Sequence, residues 1–359
     1  MTDPRLDEAI SRRRFLGGMG TTAAGVAAVA ALNPRLRSSI GSLRSSEGAS
    51  ASLGNATLAF SWLYDVQQAG SYIAQQRGYY KPLNVTFLPG GDSFAGEPLV
   101  MEGKALCAET DPTTSAAANN QGASVVLVGA QYQTNPFCVM TLKKKLPLTE
   151  PKDLIGKSVG YGPNMAVPWF AWLDVNGLKG KVTSVLTSRD ASILTSGDVD
   201  GYVGWVTSDV LGLVVAGEAV DYLLFGDTGL TLFDLTYCVA KSALKDATKR
   251  AQIIAMLKGE IRGWQVECSD QPLGIDLTMN VWGKHLGLNK KVQELQSADQ
   301  VKLLIQSATT KAHGLFWMSE ANIEKNIRSL NLSGVKASKS LFDNSLLAEI
   351  YDGKNKIAL

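Results

Sequence analysis

Between residues 56 and 130, short apolar runs alternate with segments whose apolar residues recur at three- and four-residue steps. Apolar runs a few residues long suit strands, and steps near 3.6 mark a helix with one buried face. The pattern predicts strands at 57–62, 84–88, around Cys107 and at 124–129. Between them it predicts helices at 70–76, 94–102 and 113–121, each followed by a glycine (Gly78, Gly103, Gly122) that can close a helix in the left-handed conformation. Pro89-Gly90-Gly91 is a turn signal after the second strand. A βαβα order of this kind argues for a mostly parallel sheet with helices on its faces.

Lys143-Lys144-Lys145 interrupts the rhythm and reads as a solvated loop. The rhythm then restarts. Strands are predicted at 158–160, 182–186, 200–205 and 222–225, and helices at 164–175, 191–196 and 208–216. The run 230–240 returns the chain to the first lobe. A long helix follows, with Ala247, Ala251, Ile254, Leu257, Ile261 and Trp264 at helical steps. The remainder reads helical, with Ile323, Ile327 and Leu330 on one face before Gly334. The expected architecture is α/β with two lobes, each a mostly parallel sheet flanked by helices, joined by two crossover strands. Lobe I takes 55–145 and 230–359, and lobe II takes 146–229.

The N-terminus does not fit this rhythm. Ser11-Arg12-Arg13-Arg14-Phe15-Leu16 opens a Gly/Ala-rich apolar run that ends at Leu32. Residues 1–32 look like a twin-arginine export signal, an address read by a translocase rather than part of the fold, with 33–54 as a flexible tether. The run is short and diluted by Gly17, Gly18, Gly20 and Gly25, against the roughly 20 apolar residues a spanning helix needs. An uncleaved anchor is the alternative. No cysteine lies near its end, which speaks against a lipid anchor. The expected location is therefore periplasmic, or the outer face of the cytoplasmic membrane.

The leader also explains the charge. The chain has 35 Lys/Arg and 33 Asp/Glu; seven of the former and four of the latter fall in residues 1–48, leaving 28 and 29. A body so close to neutral argues against nucleic acid or an anionic membrane as the main partner. Cys107, Cys138, Cys238 and Cys268 have no close metal-type spacing, and three sit in apolar strand-like runs, where cysteine acts as a small buried hydrophobe. Their disulfide connectivity is not deducible from sequence. His285 and His313 are the only histidines, which weakens metal sites and histidine-based catalysis alike. No cofactor is expected.

Several short motifs, in order, resemble one family. Trp62 is followed by Ala69-Gly70-x-Tyr72-x-Ala74 and Arg77-Gly78-Tyr79-Tyr80, then by Pro89-Gly90-Gly91. Further on come Val126-Leu127-Val128-Gly129-Ala130-Gln131-Tyr132, Asn135-Pro136-Phe137 and Pro151-Lys152-Asp153-Leu154-x-Gly156-Lys157-x-Val159-Gly160. Asp198-Val199-Asp200-Gly201-Tyr202-Val203-Gly204-Trp205 and Gly314-Leu315-Phe316-Trp317-Met318 complete the set. Together they resemble ABC-transporter substrate-binding proteins of the nitrate, sulfonate, taurine and thiamine-pyrimidine branch (NMT1/THI5-like), over about residues 56–350. The resemblance implies a two-lobed type 2 periplasmic-binding fold with a ligand held between the lobes. It implies a small-molecule ligand and ABC permease subunits as partners, and a monomer. Loops at the carboxyl ends of parallel strands are the usual ligand site in open α/β sheets.

Carried over loop by loop, the resemblance implies Trp62, Asp65 and Gln68 in the first loop and Gly91 and Asp92 in the second. Glu109 and Asp111 end the third strand, Asn135 lies at the crossover, and Asn164, Arg189 and Trp205 belong to the second lobe. Several also have a plainer role: Trp62 as core, Asp92 and Asp111 as helix caps, Arg189 in a surface ion pair. Trp205 is the best stacking candidate. Of Trp169, Phe170 and Trp172 on one helix, some should pack on the sheet. The aromatics favour a flat heteroaromatic ligand, a pyrimidine-type thiamine precursor first. Sulfonate, taurine or nitrate is the alternative, kept open by Thr187, Ser188 and Arg189. An enzyme related to the pyrimidine synthase of thiamine biosynthesis is a third reading, set against by the absence of a cysteine cluster.

Overall fold

The computed structural model describes residues 52–91, 94–188 and 190–359. The signal segment 1–32 and most of the tether lie outside the described residues. In the first half of the chain, β1 (Asn55–Ala59), α1 (Ala69–Arg77), β2 (Asn84–Leu88), α2 (Gly96–Met101), β3 (Cys107–Thr110), α3 (Pro112–Asn120) and β4 (Val125–Tyr132) follow the predicted order. Gly78 closes α1 with φ 68°, donating back to Ala74 and Gln75. The first strand ends earlier than the apolar run suggests. Phe60 still donates to Leu88, but Ser61 and Trp62 have already turned toward Gly90 and Gly91.

The chain next crosses to a second sheet. This is built from β5 (Phe137–Leu142), β6 (Ser158–Tyr161), α4 (Ala166–Val175), β7 (Thr183–Leu186), α5 (Ile193–Ser196), β8 (Gly201–Trp205), α6 (Leu211–Val215) and β9 (Val220–Leu224). Residues 137–142 were expected at the end of the first lobe, yet β5 pairs antiparallel with β8 and β9. The crossing is the short stretch 133–136, immediately after β4. The return crossing is 225–233; Leu230 still packs into the core of the second lobe. The chain then enters β10 (Asp234–Ala240), and α7 (Ala247–Glu267), α8 (Gln271–Leu277), α9 (Lys290–Asp299), α10 (Ala308–His313), α11 (Glu320–Leu332) and α12 (Ser345–Tyr351) complete it.

The two sheets share one design. Their orders are β2-β1-β3-β10-β4 and β7-β6-β8-β5-β9. Each has three parallel strands, then one antiparallel strand contributed by a crossing, then an edge strand. Alternation along the strands feeds two cores per sheet. Leu58, Phe87, Tyr237 and Val239 face the layer holding Tyr72, Ile73, Ile261 and Trp264, while Ala59, Ala108, Leu127 and Cys238 face Val100, Ala116 and Leu330. Each fully buried large side chain stabilises the lobe by roughly 1.5–3 kcal/mol. Trp169 and Trp172 are both core, stacked on each other and on Phe225, with their indole N–H groups bound to Ser184 and Thr228. Phe170, on the other face of α4, is exposed. All four cysteines are free thiols.

Candidate functional site

The carboxyl ends of β1 and β3, the start of β10 and the N-terminus of α1 meet at one edge of the first sheet. Ser61, just past β1, donates its N–H to Glu109 Oε2 on β3 at 3.4 Å. Gln68, which precedes α1, lies 3.3 Å from the same oxygen. Its amide also lies 3.3 Å from both the Asp65 carbonyl and Asp65 Oδ1. With the amide nitrogen turned to Glu109, the carboxyl is served as an anion. Turned to Asp65, the amide presents its oxygen to a protonated Glu109. Burial raises the Glu109 carboxyl well above the usual range, helped by the nearby Glu260 and Asp65. Its second oxygen, Oε1, is buried without a partner.

Asp65 caps the 3-10 turn Val66–Gln67–Gln68, accepting from Gln67 N at 2.8 Å. Burial pushes its carboxyl up to about 6. Three glutamines clamp this turn from α9 and the π-helical turn after it. Gln293 accepts from Val66 N at 2.9 Å, Gln300 donates to Val66 O at 2.8 Å, and Gln296 bonds Asp65. Tyr132, at the end of β4, donates to Gln300 at 2.8 Å. The other side of α9 packs on α6 and on the π-helical turn Val206–Val210 that follows β8. One helix therefore touches the strand-end loops of both lobes. Local π-helical turns are frequent at functional sites.

Behind Glu109 lies a sealed polar cluster. Glu260 of α7 is fully buried and accepts from Ser71 at 2.8 Å, from Tyr237 at 2.9 Å and from Tyr80. Burial raises its carboxyl too. Asp234 opens β10, opposite Tyr132 in register, and is almost fully buried. Its Oδ1 accepts from Leu235 N at 2.7 Å and so holds Leu235, a non-glycine, at φ 43°. Its Oδ2 has no partner, and burial with the neighbouring Asp111 charge raises the carboxyl strongly.

Not every expected ligand residue is free to bind. Asp111 caps α3, accepting from Thr113 N at 2.7 Å and Thr114 N at 3.1 Å. Asn135 is fully buried and braces the two crossings: its amide donates to Leu230 O at 2.9 Å and accepts from Phe137 N at 3.2 Å. Gly226 of the return crossing approaches so closely that a Cβ there would sit 2.3 Å from Thr134 Oγ1. Trp62 is half-buried and its carbonyl accepts from Gly90 N at 2.9 Å; Gly91, at φ 146°, donates to Ser61 O. Trp205 ends β8, edge-on to Phe137 with ring centres 5.7 Å apart, its indole N–H buried and unpartnered. Asp92 and Arg189 lie outside the described residues, and Asn164 is placed only by its backbone, in the turn before α4.

Thus Asp65, Gln68 and Glu109 come together, with Trp62 and Gly91 in the adjoining turn, while Asp111 and Asn135 are occupied. Four contributors, Asp234 and three glutamines, carry signals that sequence reasoning passed over. Asp234 is the one acid in the run Leu232-Phe233-Asp234-Leu235. Gln293, Gln296 and Gln300 repeat at helical steps. Thr207, buried with its hydroxyl unpartnered, carries none. Among the described residues no acid, cysteine and histidine group is arranged to hold a metal. Two concavities lie away from this edge: one of ≈ 240 Å³ at the amino ends of β1 and β3, and a groove of ≈ 430 Å³ between α4 and the end of α11.

A family model described as NMT1/THI5 like matches residues 65–271, more than half of the chain. The chain belongs to the NMT1/THI5-like family. Compared by sequence, no curated protein matches it. Solved structures of similar fold include the periplasmic aliphatic sulphonate binding protein SsuA from Escherichia coli, at 15% identity over 78% of this chain and 91% of that one, TM-score 0.60. A putative periplasmic sulfonate-binding protein SsuA from Methylobacillus flagellatus KT aligns at 13% identity over 83% and 94%, TM-score 0.60. The desulfurization enzyme DSZB aligns at 11% over 83% and 99%, TM-score 0.55. At these identities the likeness shows the fold: two sheets flanked by helices, as in periplasmic binding proteins.

Proposed function

We propose that this NMT1/THI5-like protein is an extracytoplasmic solute-binding protein. It captures a small molecule between its lobes and passes it unaltered to ABC permease subunits, working as a monomer after twin-arginine export. The observation that carries this reading is the bridging of both strand-end edges by α9. That arrangement suits reversible enclosure about the braced crossings 133–136 and 225–233. The solute proposed first is a flat nitrogen heterocycle of the pyrimidine type, for which Trp205 offers a ring face. The sulphonate-binding names of two structural neighbours favour a sulfonate as the second reading.

A ligand that binds only the folded state raises the melting temperature with concentration. Pyrimidines, flavins, sulfonates, taurine and nitrate should therefore be compared by thermal shift, and the bound compound recovered and identified. A stabilising compound recovered unchanged is the expected result. Recovery of a chemically altered product would replace capture by catalysis.

A further inference from the structure

The charge pattern of the strand-end edge goes further than the solute class, and rests on the capture reading above. The described first-lobe loops and crossings, residues 61–68, 89–91, 94–95, 109–114, 133–136 and 225–234, contain no lysine, arginine or histidine. They contain Asp65, Glu109, Asp111, Asp227 and Asp234. Acidity alone makes no site. The second observation is that two of these acids are more than nine-tenths buried and each has an oxygen with nothing to accept from: Glu109 Oε1 and Asp234 Oδ2. Gln133 at the end of β4 adds a third buried acceptor, its Oε1, also unpartnered. All three are acceptors, on or just past the neighbouring strands β3, β10 and β4. Buried acceptors are costly to leave unpaired, and a buried carboxylate is stable as an anion only with a cation or several donors.

We infer that the first-lobe wall recognises a cationic, N–H-bearing group of the solute, a protonated amine or amino-substituted heterocycle, through the free oxygens of Glu109 and Asp234, and rejects sulfonate- and nitrate-type anions. The groups that feel the Glu109 charge, Asp65, Glu260, Tyr72, Tyr80, Tyr132, Tyr237 and Cys107, include no cation. A bound ammonium supplies the missing positive charge, so Glu109 ionises on binding and its proton leaves to solvent. The Gln68 amide, within reach of both Glu109 and Asp65, can turn to serve the anion.

The test uses two probes of one shape: 4-amino-5-(aminomethyl)-2-methylpyrimidine and its uncharged 5-hydroxymethyl counterpart, with benzenesulfonate as the anion. Each is titrated calorimetrically into the purified chain in two buffers of different ionisation enthalpy. The expected result is at least tenfold tighter binding of the aminomethyl probe, with proton release that Glu109→Gln abolishes. Asp234→Asn, measured alongside, should also erode the preference and covers the case of a misfolded Glu109 variant. Equal binding of the two pyrimidines, or benzenesulfonate binding retained in Glu109→Gln, overturns the charge inference and leaves capture standing. No binding by any probe to the folded chain removes both.

Discussion

Helices α1 and α7 meet through glycines, and one of them offers a sharp test of how tightly the first lobe is packed. A Cβ built on Gly263 would lie 1.9 Å from the Gly70 carbonyl oxygen and 2.9 Å from Ala74 Cβ. Ordinary contact begins near 3.4 Å, so Gly263→Ala must push a backbone carbonyl away by roughly 1.5 Å within a close-packed interior. Gly70 cannot yield sideways, because its own Cβ position is 2.4 Å from the Trp264 ring. Replacing glycine by alanine in a helix gains about 1 kcal/mol from propensity. Overpacking costs typically 1–3 kcal/mol, and a backbone clash falls at the upper end, so the net loss should be about 2 kcal/mol. That corresponds to a melting temperature lower by about 4–8 °C. Gly212 in α6 is the control: nothing lies within 4 Å of its Cβ position, so Gly212→Ala should stabilise by about 0.5–1 kcal/mol. Urea titration and calorimetry of the two variants decide the matter. If Gly263→Ala proves as stable as the parent, the α1–α7 contact is looser than drawn and the reasoning fails.

Stability should also depend on pH through Glu267. Burial pushes this carboxyl up to about 8 from an ordinary 4.5, so its contribution is full below the lower value and is lost as pH rises through the higher one. The urea midpoint should fall between pH 5 and pH 8.5, and Glu267→Gln, which keeps the acceptor for Ser297 Oγ, should flatten that fall; an identical slope in both proteins would refute it. Asn135→Ala should cost about 1–3 kcal/mol by stranding Leu230 O and Phe137 N, and small-angle scattering should show a broader spread of lobe separations. An unchanged profile would remove Asn135 as the brace. Asp111→Ala should cost about 1 kcal/mol as a lost helix cap, read from thermal melts. Trp205→Ala should weaken a flat ligand about tenfold or more, measured by calorimetry; retained affinity would take the indole out of the site.

Periodicity and glycine punctuation made most of the fold legible. The strand 84–88 and the glycine closing α1 coincide with the structure because both are local features. Strand partners are not local. Nothing within Phe137–Leu142 says that it runs antiparallel between β8 and β9, nor does Asp234–Ala240 announce its place between β3 and β4. The site was legible in part for the same reason. Loop position alone put Asp65, Gln68 and Glu109 near the carboxyl ends of β1 and β3, where they lie. It could not show that Asn135 spends both ends of its amide on the crossings, or that Gln300, far along the chain, reaches Val66.

The insertion of β10 has a consequence for synthesis. Strands β5 to β9 are contiguous in sequence, so the second sheet can close as soon as residue 224 is available. The first cannot: β3 and β4 meet only through β10, which emerges about a hundred residues after β4. Until then β4, eight residues buried along their whole length in the finished protein, stands as a bare apolar edge. Such edges recruit other chains. A nascent or truncated polypeptide that stops short of Asp234 is therefore the form of this protein most in need of a chaperone.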